Sequence, residues 1–355
     1  MSLLTLLLAC RPASSLTETE QDSSWVVDSL AKDSETGGDT AELGAFDLLV
    51  SVADEQRVLR LHFADGFNQP PTTVWTWSLR EDFPERDHKP HGLTVDGDTL
   101  LVTCFDYFTD AFVLRLDLLT GAVVNSPKGS GNLTWAGDPG REVLRAAHNT
   151  IRVDDQLLIS DTHNHRVLAL DSEGAFAWEL NQETVGPDPY LRRWWSGIND
   201  VELVDGQLVV SARGDFFNHV LLFEPAQPLR PTDPPWRPVF RWPQVADDSK
   251  LLEAHNPRLI PGGFTVADSG NDRILALTWT GEEIWTLPGR GCPSNDLDLD
   301  WPRDGLMMGE VLLIADSLGD KVVAMDTAAG PCLNADTVLW TMDANGPYNL
   351  LVLPG

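Results

Sequence analysis

The chain writes one pattern several times. "HNTIRVDDQLLISDTHNHRVLALDSEGAFAW" runs from His148 to Trp178, and "HNPRLIPGGFTVADSGNDRILALTWTGEEIW" runs from His255 to Trp285. Both open on His-Asn and reach an Asp thirteen residues on (Asp161, Asp268). Both then pass through Asn and Arg, turn at Gly and close on Trp. Registered on the central apolar run, further copies start at His91, Asn199 and Arg303. The five starts stand 57, 51, 56 and 48 residues apart. A sixth start, "YNLLVLPG" from Tyr348, ends after one apolar run, and its missing remainder stands at the other end of the chain, from Phe46 to Leu79.

Each copy holds four short runs of Val, Ile, Leu, Phe and Trp bounded by Gly, Asp, Asn and Pro. Such runs are strands rather than helices. A period near 50 residues with four strands per unit is the signature of a β-propeller. A single blade cannot bury both faces, so blades stack around an axis. The expectation is an all-β, six-bladed propeller over residues 46–355. It closes by pairing the C-terminal innermost strand with the N-terminal blade strands, which removes an open edge. The 42% hydrophobic content, with 13 Trp and 13 Phe, suffices to fill such a core and argues against disorder. Lys and Arg total 25 against 54 Asp and Glu, a net charge of -29. That surface repels nucleic acid and anionic lipid, and a nucleic-acid partner is set aside.

The first ten residues, "MSLLTLLLAC", form an apolar run too short to span a membrane. They resemble a bacterial lipobox, in which Cys10 becomes the lipidated first residue of the mature protein. Residues 11–45 are rich in Ser, Thr, Glu and Asp and read as a flexible acidic tether. This reading implies a protein of the bacterial cell envelope, periplasmic or surface-exposed, that meets the membrane only through a lipid anchor. In an oxidising compartment Cys292 and Cys332, both in turn-like segments, can pair, or they can lie on opposite faces. No C-x-x-C occurs, which disfavours a zinc ribbon.

The second half of each copy is framework. "DTHNHRV", "DSGNDRI" and "DSLGDKV" place Asp and a basic residue five apart across a turn, where they brace it. The closing Trp75, Trp178, Trp285 and Trp340 read as packing between blades. The acidic "NDLDLD" (295–300) lacks an EF-hand pattern and reads as a solvated loop. Asn132 stands in an N-x-T sequon that has no meaning in a bacterial protein. The loops "NLTWAGDPGREVLRAA" and "PDPYLRRWWSGI" carry Trp and Arg suited to a partner lip.

The six starts are different. His91, His148, Asn199, His255, Arg303 and Tyr348 precede the innermost strand, which lines the central channel. Packing alone would place apolar residues there, yet all six are polar. The next positions (Gly92, Asn149, Asp200, Asn256, Asp304 and Asn349) are also mostly polar. Polar groups converging on a concave site are the default ligand-site hypothesis.

The Asp-to-basic turn is similar to that of NHL-type propeller repeats. The unit "HN…LIPGGFTVADSGNDRILALTWTGEEIW" resembles the repeat of the arylsulfotransferase family, whose members are six-bladed periplasmic propellers. That resemblance implies sulfuryl transfer between phenols through a sulfated His, with no cofactor. It makes His255 the nucleophile candidate and Arg303 the group that pins the sulfuryl oxygens. His148 and His91 become acid/base or oxyanion partners, and Tyr348 a further donor. Asn199, Asn149, Asn256, Asp200 and Asp304 would line the channel around a phenolic or aryl sulfate substrate. Two departures accompany it. Arg303 follows all three His in chain order, and the large N-terminal β domain of well-known members is missing. Three His on a propeller also resemble the peptidyl-hydroxyglycine lyase family, which implies a divalent metal on His91, His148 and His255. Its ligands are expected on alternate blades, whereas His91 and His148 fall on adjacent ones. A third reading is a non-catalytic, NHL-like platform for a protein or peptide ligand.

Overall fold

The computed structural model describes residues 43–354, apart from 107–110, 125–131, 134–143, 187–190, 193–194, 214–217, 229–232, 244–249, 290, 294–297, 331 and 335. For 132–133 it describes the backbone alone. Cys10 and the tether up to residue 42 lie outside these residues. So do most of the two loops read as a partner lip, Asn295 to Leu297 of the acidic run, and the side chain of Asn132.

The described strands form six four-stranded antiparallel sheets. The first sheet joins β1 (Phe46–Val52), β2 (Arg57–Phe63) and β3 (Thr72–Ser78) to the last strand of the chain. The second holds β4 (Lys89–Asp96), β5 (Thr99–Phe105), β6 (Ala111–Asp117) and β7 (Asn132–Leu133). The third holds β8 (Ala147–Val153), β9 (Gln156–Asp161), β10 (Arg166–Leu170) and β11 (Phe176–Leu180). The fourth holds β12 (Ile198–Val204), β13 (Gln207–Arg213), β14 (Asn218–Pro225) and β15 (Trp236–Trp242). The fifth holds β16 (Ala254–Ile260), β17 (Gly263–Asp268), β18 (Arg273–Thr278) and β19 (Glu283–Leu287). The sixth holds β20 (Pro302–Met308), β21 (Val311–Asp316), β22 (Lys321–Asp326) and β23 (Val338–Asp343). Strand β24 (Pro347–Pro354) returns to the first sheet and pairs with β1, Leu350 opposite Val50. The propeller expected from the repeat is therefore the observed fold, closed as anticipated. The strands β24, β4, β8, β12, β16 and β20 neighbour one another in a complete ring around the axis.

The core is six clusters, one between each pair of adjacent blades. Alternating side chains of the middle strands feed both faces, as a sheet covered on both sides requires. Trp178 (3% exposed) packs with Leu208 and Phe223 of the fourth blade. Trp340 sets its ring edge on Phe63 across the closure, at 5.2 Å between centroids.

The turn brace takes the form read from the sequence. Asp161 meets Arg166 at 2.8 Å, Asp268 meets Arg273 at 2.7 Å and Asp316 meets Lys321 at 3.2 Å. Each Asp also accepts from a backbone N–H sixteen residues earlier: Arg145, Leu252 and Asp300. One carboxylate thus ties the tight turn to the chain arriving at the blade. Cys292 and Cys332 form a disulfide between the segment after β19 and the segment before β23, with Cα atoms 5.4 Å apart. Cys104 is free and buried.

Candidate functional site

The six block-start residues lie inside the innermost strands, at the second position of five of them and the third of β4. Each stands at an interruption of the ladder. Register shifts fall between Pro90 and Leu93, Ala147 and Thr150, Ile198 and Asp200, His255 and Arg258, and Pro302 and Asp304. On β24 the ladder passes from Asn349 to Pro347 and skips Tyr348. A β-bulge leaves a residue unpaired and re-aims its side chain. In five blades the block-start residue is itself the unpaired one; on β16 His255 keeps its partner Ala267 and the bulge follows at Asn256 and Pro257. Two residues before five of the six, the backbone is left-handed: Ala146, Gly197, Glu253, Trp301 and Gly346. Three of these are not Gly, so the sequence carries no sign of this turn.

The side chains converge. His91 and Tyr348 overlap with ring centroids 3.7 Å apart, and His91 and His148 stand edge to face at 5.2 Å. Tyr348 reaches His148 at 5.9 Å and His255 at 6.1 Å. Arg303 lies over the Tyr348 ring at 4.9 Å and near Trp301 at 5.6 Å. Its Nη1 donates to Nε2 of His255, which also accepts from Asn199 Nδ2 at 3.2 Å. Phe105 backs the cluster, stacked on His148 at 4.6 Å.

Two of the imidazoles are held in one tautomer. His148 Nδ1 sits 2.6 Å from the Ala146 carbonyl and 2.8 Å from Thr162 Oγ1. The Thr162 hydroxyl spends its only proton on the Ile198 carbonyl at 2.6 Å, so toward the imidazole it can only accept. Nδ1 therefore carries the hydrogen and Nε2 the lone pair. The fifth blade repeats the device. His255 Nδ1 faces the Glu253 carbonyl at 2.7 Å and Ser269 Oγ at 2.8 Å, while that hydroxyl donates to the Pro302 carbonyl. His91 differs: its Nδ1 is buried with no hydrogen-bond partner among the described residues.

Electrostatics keep all three imidazoles uncharged. Burial, above all, drives the His148 pKa down to about 3, with Arg303 adding to the effect. Burial followed by Arg303 lowers His255, and burial followed by His148 lowers His91. Each favours the neutral ring. The cation itself has no carboxylate within ion-pair distance among the described residues. Nearby cations are compensated: Arg213 meets Glu253 at 2.7 Å and Lys89 meets Asp54.

Four of the residues after the block starts are turned to other blades. Asn349 Oδ1 accepts from Leu93 N at 3.2 Å, Asp304 Oδ2 from Leu350 N at 2.9 Å, and Asn149 Nδ2 donates to the Val201 carbonyl at 3.3 Å. Asn256 Nδ2 reaches the Tyr348 carbonyl at 3.2 Å. Asp200 would complete the series at position 257, but Pro257 has no N–H to give. Asp200 Oδ2 is accordingly buried with no hydrogen-bond partner among the described residues. Burial, then Glu202, raises its pKa well above the carboxylate range. Deeper along the strands Arg258 bonds Asp304 at 2.7 Å, Glu202 at 2.8 Å and the Leu350 carbonyl at 3.1 Å. This cluster joins four blades across the axis and fills the channel behind the histidines.

The side chains that converge are thus His91, His148, His255, Arg303 and Tyr348, with Asn199 on His255. Sequence reasoning missed Thr162 and Ser269. Both stand directly after the framework Asp in "DTHNHRV" and "DSGNDRI", and a hydroxyl at the same place in two of the three His-bearing blades was the available signal. It also missed Arg258 and Glu202, whose partners lie on other blades. Among the described residues, no three His, Cys, Asp or Glu side chains gather as a metal-ligand set. The locked Nδ1 atoms of His148 and His255 leave each only Nε2 to offer.

No protein-family model matches the chain, and no curated protein does. Solved structures share the fold. A nidogen/laminin complex matches with a TM-score of 0.56 at 13% identity, over 87% of this chain and 98% of that one. A 6-phosphogluconolactonase-like protein of Bacteroides fragilis matches at 0.55 and 9% identity, over 90% and 100%. The periplasmic gluconolactonase of Pseudomonas aeruginosa matches at 0.52 and 13% identity, over 88% and 99%. At these identities the likeness is one of fold.

Proposed function

We propose that the histidine–arginine end of the channel binds a small organic anion and transfers its sulfuryl group through an imidazole, from an aryl sulfate to a phenol. The observation that carries this reading is Arg303, a cation bonded to a neutral imidazole with no carboxylate within ion-pair distance among the described residues. In a chain of net charge -29 such a group selects for an incoming anion. Arg303 holds the sulfuryl oxygens in a bidentate bond and offsets charge built up on them. His255 Nε2 attacks sulfur, the S–O bond to the aryl group breaks, and the aryl oxide leaves. His148 Nε2 then takes the proton of the acceptor phenol, whose oxygen displaces His255 from sulfur. His148 passes that proton on to solvent as its buried ring returns to the neutral form, and the aryl oxide of the donor leaves as the anion. Tyr348, flanking His91 and Arg303, offers an aromatic face to the substrate ring.

The test is turnover of p-nitrophenyl sulfate with phenol as acceptor. His255→Ala and Arg303→Gln are each expected to lower kcat/KM at least about a hundredfold. Unchanged turnover in both variants overturns the roles of His255 and Arg303.

A non-catalytic binding propeller is the second reading. It is favoured by burial, since His255 is 1% and His91 2% exposed. Absence of transfer across several acceptors, with an anion still bound, decides for it. We place the propeller outside the cytoplasm on a lipid at Cys10. The Cys292–Cys332 bond, of a kind that persists in oxidising compartments, supports that placement. Intact mass of the membrane-extracted protein, with and without Cys10→Ala, tests the lipid.

A further inference from the structure

We infer that Arg303 is a ligand-operated cap on His255: an oxyanion arriving at the channel end draws the guanidinium off Nε2 and so exposes the lone pair. This inference rests on the proposed anion-binding role of the channel end.

Each partner stands to gain from the exchange. The lone pair of His255 Nε2 is taken by Arg303 Nη1 and more distantly by Asn199 Nδ2. His148 carries no such cap, since no described side chain donates to its Nε2. As long as the cap holds, His255 is a hydrogen-bond acceptor and cannot attack. For Arg303 the bond supplies one acceptor and no charge. Arg258, on the neighbouring strand of the same channel wall, shows what a buried guanidinium otherwise takes: two carboxylates and a carbonyl. Arg303 Nε, by contrast, is buried with no partner among the described residues. An oxyanion offers two or three charged oxygens to the guanidinium fork, and charge-assisted bidentate bonds are about twice as strong as neutral ones. The exchange is therefore favourable for the cation.

The surroundings let it occur at one joint. Arg303 lies against the rings of Tyr348 and Trp301, which support a guanidinium plane without fixing its direction. His255, on the other hand, cannot follow. Its Nδ1–H is tied to the Glu253 carbonyl and Ser269 Oγ, so Nε2 keeps its aim when the guanidinium turns away. The charged and titratable groups facing His255 are Arg303 from β20, His148 from β8, His91 from β4, Arg213 from the end of β13 and Tyr348 from β24, with Glu253 just before its own strand. Of these only Arg303 touches Nε2. An anion paired to it removes the charged donor, leaving only the more distant Asn199 Nδ2, and offsets its charge at once. Binding and activation become one event, and His255 stays unreactive in the empty site.

The test uses the full chain labelled with 15N-histidine, with the His255 signal assigned from His255→Gln. Inorganic sulfate and p-nitrophenyl sulfate are titrated in, and binding is followed by calorimetry on the same samples. In the wild type, sulfate is expected to move His255 Nε2 toward the position of an imidazole nitrogen that keeps only the Asn199 bond, while Nδ1 stays put. Arg303→Gln is expected to show the uncapped position without sulfate and to bind sulfate at least about tenfold more weakly. Arg303→Lys, which keeps the charge, serves if the Gln variant does not fold, and should show a weakened cap. Sulfate that binds without moving His255 Nε2 overturns the cap and leaves the anion site standing. No sulfate binding at all overturns both.

Discussion

At the residue scale, an imidazole becomes useful when something fixes which nitrogen holds the proton. In His148 and His255 a carbonyl two residues back and a hydroxyl from the turn after the next strand do so together. Ser269→Ala is expected to lower stability by about 1 kcal/mol, the worth of a buried hydroxyl bond, and to lower kcat more than KM. Denaturant midpoints and steady-state kinetics check it; unchanged kcat would show that the Glu253 carbonyl suffices. The same burial gives a pH dependence. His148 has a folded pKa of about 3 against an ordinary 6.5. An unfolded chain takes up the proton first, so this group's contribution is present above about 6.5 and is lost as pH falls toward 3. Asp316, raised by burial to about 6, has the opposite sign and loses its contribution as pH rises through 6. Comparing wild type with His148→Gln isolates the histidine. The wild type should lose stability faster than the variant between pH 6.5 and about 4.5, and parallel curves would contradict the burial of His148. Little of this was legible in the sequence. The block starts stood out because polar residues recur where packing wants apolar ones. Thr162 and Ser269 did not, because a Thr or Ser beside a turn Asp looks like turn chemistry.

At the scale of the element, the site depends on how closely the innermost strands approach at their bulges. Gly92 shows the margin. A Cβ there would meet Asn149 Oδ1 at 2.4 Å, and the Asn149 Cα and His148 carbonyl at 2.7 Å. Two of these are backbone of the next blade and cannot swing aside. Gly92→Ala is therefore expected to cost roughly 1–3 kcal/mol and to widen the 5.2 Å spacing of His91 and His148, with a loss of activity beyond the loss of stability. A melting temperature equal to wild type would mean that the strands yield. The strands themselves were readable, since short β-branched and aromatic runs between turn residues have few other fates. The cross-blade partners of Asn149, Asp304 and Asn349 were not. Each partner lies on another blade, dozens of residues away or at the far end of the chain, and only the assembled ring brings them together.

For the whole molecule, the repeat and the split blade at the termini carried the architecture. A sixth start that stops after one strand has meaning only if its remainder is elsewhere, and Phe46–Leu79 supplied it. What the repeat could not carry is how the channel is filled, because Arg258 and Glu202 stand at positions that differ from blade to blade. The disulfide acts at this scale. It links segments 40 residues apart near the two outermost strands of the fifth and sixth blades. Cys332→Ser should lower stability by about 2–4 kcal/mol through the freed unfolded chain, with kcat nearly unchanged because the bond is remote from the histidines. Denaturant unfolding with and without reductant measures it, and equal midpoints would make the bond ornamental. Among the described residues no helix is long and apolar enough to cross a membrane.

The most direct measurement is a rapid-quench experiment with p-nitrophenyl sulfate and no acceptor. The account predicts a burst of one equivalent of p-nitrophenolate per chain and a sulfuryl adduct on His255, lost in His255→Ala and restored to turnover by added phenol. A slow linear release without a burst, equal in wild type and His255→Ala, would contradict it.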